Sequence, residues 1–74
     1  MTDIATLLRA CAQESGLHLG HAGPAMTALR HAVASDPAIA AEARQRLADI
    51  PEPVLLRDHA SRWLKATLSK ALET

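Results

Sequence analysis

Apolar residues recur at three- and four-residue spacing in four stretches of this chain, separated by Gly16, Gly23-Pro24, Ser35-Asp36-Pro37 and Pro51-Glu52-Pro53. That spacing lays each apolar set along one side of a helix. The intervening Gly, Pro and Asp-Pro clusters stop one helix and start the next. No stretch alternates with the two-residue period of a strand. The pattern predicts an all-α fold, a compact, antiparallel-like bundle of four helices over about 3–15, 24–34, 37–49 and 53–72, forming a single domain over 1–74 with the last helix longest.

In the first stretch, Ile4, Leu7, Leu8, Cys11 and Ser15 share a side, with Thr6, Arg9 and Gln13 opposite. Thr2 or Asp3 is placed to cap its start, and Gly16 to end it in a left-handed conformation. Leu17 and Leu19 in the connector are expected to fold back on the core. Pro24 suits a first helical position, where no amide is needed, and Met26, Leu29 and Val33 form the apolar side of the second helix. Asp36 and Pro37 repeat the start signal for a third helix, whose stripe of Ile39, Ala43, Leu47 and Ile50 is thin. The two prolines at 51 and 53 fit the first turn of a last helix on the order of 30 Å long. Its apolar surface is wide: Leu56, Ala60, Trp63, Leu64, Thr67, Leu68 and Ala71, with Leu55 and His59 along the Trp63 edge.

Composition qualifies this picture. Although 49% of the 74 residues are hydrophobic, many are Ala, Phe and Tyr are absent and Trp63 is the single aromatic, so large core side chains are few. A chain this short buries only about 60 to 65% of its unfolded surface. Stability is therefore expected to be modest, and association with a partner or a second copy is a natural supplement. Eight basic and eight acidic residues cancel, which removes the excess positive charge that general binding to nucleic acid or anionic membrane draws on. Cys11 is alone and forms no intramolecular disulfide. The start of the chain lacks the basic and apolar regions of a secretory signal, no stretch is long enough to span a bilayer, and the cytoplasm is the expected compartment.

The candidate chemistry is sparse. His18 and His21, in a loop with glycines at 16, 20 and 23, offer two metal ligands where zinc needs three or four. An exposed loop is the better reading, which leaves a metal-binding helper using His18 and His21 as an alternative only, and no cofactor is expected. The glycines do not follow a strand, as a phosphate-binding loop requires. Cys11 lies among Ile4, Leu7 and Leu8 rather than beside a base, and the carboxylates are scattered singly, so no catalytic residues are assigned and the chain is not expected to be an enzyme. Helices two and three have the outline of a helix-turn-helix DNA reader. The third, however, opens Pro37-Ala38-Ile39-Ala40-Ala41, and its Arg44 and Arg46 come late and are offset by Glu42 and Asp49, leaving DNA binding as an alternative only.

The remaining reading is a small non-enzymatic interaction module, acting as an adaptor, inhibitor or accessory subunit, that presents a helical face to another protein or to a second copy as a homodimer. The expected contact residues are Leu55, His59, Arg62, Trp63 and Lys65, because Trp and Arg are enriched where binding energy concentrates. Against this stands a core that lacks Phe and Tyr and has the stronger claim on Trp63.

Overall fold

The computed structural model describes residues 3–20 and 22–73, and shows four helices and no strand among them: α1, Ile4–Ser15; α2, Pro24–Ser35; α3, Pro37–Ala48; and α4, His59–Leu72. Each start follows a local signal. Asp3 accepts a hydrogen bond from the Thr6 amide at 2.8 Å and caps α1; the alternative cap, Thr2, lies outside the described residues. Gly16 ends α1 with φ +60°, and its amide donates to the Ala12 carbonyl at 2.9 Å.

Leu17 then also takes a left-handed φ of 64°, unusual for a residue with a side chain. Two bonds hold this turn. The Ser15 hydroxyl donates to the Cys11 carbonyl at 2.8 Å and accepts from the Leu17 amide at 3.1 Å. His59 Nε2 lies 2.6 Å from the Leu17 carbonyl and, in the tautomer that donates, ties the turn to the start of α4.

The start of α2 is capped from a distance. Gly23 has no side chain to offer, and both carboxylate oxygens of Glu14, on α1, accept from the Ala25 amide at 3.1 Å. A negative group at that position also complements the positive end of the α2 dipole. Between α2 and α3 there is one residue. Asp36 closes α2 by donating its amide to the Ala32 carbonyl at 2.9 Å, and opens α3 by accepting the Ala38 amide on Oδ1 at 2.9 Å.

Packing follows the apolar stripes. α2 packs against α1, α3 and α4, and α3 packs against α4. The core takes Ile4, Leu7, Leu8 and Cys11 from α1, Met26, Leu29 and Val33 from α2, and Trp63, Leu68 and Ala71 from α4. From α3 the fully enclosed side chains are Ala40 and Ala43, with Ile39 and Leu47 half-buried and Ile50 closing the end. Small residues on this face let the α3 backbone come near its neighbours. Leu17 is half-buried as expected, whereas Leu19 remains 43% exposed.

The largest departure from the sequence pattern is the start of α4. It begins at His59, not near residue 53, and its 14 residues span about 21 Å. Residues 51–58 form an irregular segment with a cis Glu52–Pro53 bond. Asp58 caps the helix, accepting from the Ser61 amide at 3.2 Å. Leu56 and Ala60, expected on the wide apolar face of this helix, are exposed as a result.

The caps make stability sensitive to acid. Hydrogen bonds from Thr6 hold the Asp3 carboxyl below its usual 3.8, and those from Ser61 do the same for Asp58. A folded-state pKa depressed in this way contributes stability above 3.8 that is lost as pH falls through the folded value. Replacing both by Asn keeps a capping oxygen and removes the titration. The Asp3→Asn/Asp58→Asn protein is expected to show a smaller fall in melting temperature below pH 3.8 than the parent; an unchanged acid slope would show that the caps are not its source.

Candidate interaction surface

Segment 51–58 turns outward after Ile50, whose amide donates to the Leu47 carbonyl at 3.2 Å. Pro51 and Pro53 have no amide to enter a helical ladder. Val54 packs half-buried against the core. A turn closed by the Asp58 amide on the Leu55 carbonyl at 3.0 Å then leads into α4. This path leaves Leu55 53% and Leu56 82% exposed, the two most exposed large apolar side chains described.

Leu55 lines a depression of about 320 Å³ together with Pro51, Pro53, Val54, Asp58 and Ser61. A second, of about 310 Å³, shares Pro51 and Ser61 with the first and extends to Arg46, Asp49, Ile50 and Leu64. Together they form a shallow groove running from the end of α3 across the first turns of α4. A separate depression of about 420 Å³ lies between α2 and the end of α4, lined by Thr27, Arg30, His31, Ala34, Ala71 and Glu73. It is larger, but no long apolar side chain lines it.

The five expected contact residues fare differently. Leu55 lines the groove. Arg62, half-buried, donates from Nη1 to the Leu56 carbonyl at 3.4 Å and so supports the outward turn. Lys65 pairs with Glu52 and fastens the segment to α4. His59 is committed to Leu17. Trp63 is 5% exposed and belongs to the core, with its indole Nε1 buried and without a hydrogen-bond partner among the described residues. Leu56, which the sequence pattern placed on the apolar stripe of the last helix, lies before that helix and is exposed. The signal for it was Asp58, a preferred N-cap residue competing with the two prolines for the helix start.

Elsewhere the chemistry is limited. Cys11 is fully buried, and burial, assisted by the charge of Glu14, raises its thiol pKa, away from the thiolate form that attacks or ligates. His18 is exposed, and His21 lies outside the described residues. Among the described residues no three His, Cys, Asp or Glu side chains converge as metal ligands. The single residue between α2 and α3 is shorter than the three- to four-residue turn of a helix-turn-helix. No described helix is long and apolar enough to cross a membrane. Comparison with protein-family models, with curated proteins and with solved structures finds no match.

Proposed function

We propose that the protein is a non-enzymatic protein–protein interaction module, an adaptor, inhibitor or accessory subunit, and that its contact surface is segment 51–58 with the first turns of α4. The observation that carries this reading is the exposure of Leu55, which lines an apolar depression, and of Leu56 next to it in the chain, in a protein with few large apolar side chains. Burying one leucine is worth about 1.5–3 kcal/mol. A small domain that leaves two of them in water forgoes a large part of its available stabilisation, and a partner covering them recovers it. Lys65 with Glu52, and Arg62 with the Leu56 carbonyl, hold the segment in place, so less ordering entropy is lost on contact.

A photo-crosslinking residue at position 56, introduced in the cell that makes the protein, tests this. The expected result is a covalent adduct with one identifiable protein, or with a second copy of the chain, that disappears on Leu55→Ser while the melting temperature is unchanged. The same probe at Ala41, exposed on α3, should give no such adduct. Equal scattered labelling from both positions would remove the reading.

A further inference from the structure

Thr27, Arg30, His31 and Ala34 recur along α2 at three- and four-residue spacing and share one exposed face, outside the buried stripe of Met26, Leu29 and Val33. Where the end of α4 meets that face, Ala71 and Glu73 complete the lining of the depression of about 420 Å³. Its volume falls among small-molecule sites, which run from about 300 to 1,000 Å³. Ala34 and Ala71 add only methyl groups to the lining and so leave room for a ligand.

Two opposite charges line this depression, Arg30 and Glu73, and they are not spent on each other. Neither side chain has an ion-pair or hydrogen-bond partner among the described residues. The Glu73 amide donates to the Ser69 carbonyl at 3.1 Å and to the Lys70 carbonyl at 3.3 Å, which fixes this residue at the end of α4. That end is the negative pole of the helix dipole, so the helix and the Glu73 carboxylate both favour a cation there. On α2, the Arg30 guanidinium presents the planar fork that suits a carboxylate. Thr27, one turn earlier, adds a hydroxyl donor.

We infer that the depression is a binding site for a small zwitterion of the free α-amino acid class, its carboxylate held by Arg30 and Thr27 and its ammonium by Glu73 at the end of α4. A ligand with one charge satisfies one of these groups and is repelled by the other. Polyphosphates and polyamines are disfavoured for the same reason. The site goes beyond the interaction-module reading and shares no lining residue with segment 51–58. Because both charged side chains are exposed, the expected Kd is weak, on the order of 1 mM.

Leucine, isocaproate and isopentylamine share one carbon skeleton and carry both charges, the carboxylate alone and the ammonium alone. Titrated into the isotope-labelled full chain, leucine should shift amide signals of Thr27–Ala34 and Ala71–Glu73 saturably, and bind at least about tenfold more tightly than either analogue. Arg30→Gln and Glu73→Gln should each remove that advantage without altering the melt, since both positions are exposed. Glu73→Gln should also strengthen isocaproate binding, and Arg30→Gln isopentylamine binding, because each removes a like charge. A merely structural role for the two residues would not produce these opposite gains. Absence of saturable shifts, equal affinity for the three compounds, or leucine binding that survives both substitutions would overturn the site. Leucine shifts centred on segment 51–58 would overturn it as well. The crosslink at position 56 tests the interaction module separately and is indifferent to each of these results.

Discussion

Trp63→Ala is expected to leave the chain without a cooperative fold at room temperature. Removing a buried Trp side chain costs about 3–5 kcal/mol through lost burial and the cavity left behind, and Trp63 is 5% exposed in the core of a 74-residue chain. Small domains of this kind sit at the low end of the usual range of about 5–15 kcal/mol. Far-UV circular dichroism across a thermal scan checks this: the parent should melt in one transition and the variant should show a broad, weak one.

Trp63→Phe supplies the control. It retains a ring in the core and also removes the indole N–H that is buried without a partner, an unsatisfied group that itself costs about 1–3 kcal/mol. That variant is expected to remain folded. If Trp63→Ala melts near the parent temperature, Trp63 is not a central core residue.

The second large effect is expected at Leu29. Its side chain is 0% exposed on α2, the helix packed against α1, α3 and α4. Leu29→Ala should lower stability by about 2–5 kcal/mol, enough to move most or all of the urea transition to low denaturant. Leu56→Ala makes the same chemical change at a position 82% exposed and should alter stability by no more than about 0.5 kcal/mol. Urea titrations of the two variants beside the parent give the comparison. Similar midpoints for the two would contradict the separation of core from surface on which the proposed contact rests.

The difference between these leucines shows what the chain's pattern reveals and what it hides. The starts of α1, α2 and α3, and the end of α1, are legible because each is set within a few residues: Asp3 before Thr6, Gly23 before Pro24, Asp36 before Pro37, and Gly16 after Ser15. The start of α4 is not, because two local signals compete. Pro51 and Pro53 suit a first helical turn, Asp58 suits a cap, and Leu55 and Leu56 continue the helical spacing on paper.

The Asp58 cap is the start adopted, and Leu56 is left on the surface. The Glu14 cap on Ala25 and the His59 bond to Leu17 are illegible for another reason. They join residues 11 and 42 positions apart, and only the packed helices bring them together. Of the expected contact residues, the sequence pattern grouped Leu55, His59, Arg62, Trp63 and Lys65 on one helix, whereas Leu55 lies in the irregular segment before α4 and Trp63 in the core. It placed Trp63 and Leu56 on one wide apolar stripe and did not divide them between core and surface, because spacing alone does not distinguish a wide core face from a core beside an exposed segment.

Asp36 has a consequence for how this chain can vary in length. Its backbone N–H ends one helix while its carboxylate begins the next, so the joint between α2 and α3 contains no residue that can be added or removed without separating two caps held by one amino acid. Insertions and deletions are thereby directed to the connector after Gly16 and to the segment after Ile50. The second of these carries the exposed leucines, so the part of the molecule freest to change length is also the part proposed to meet a partner.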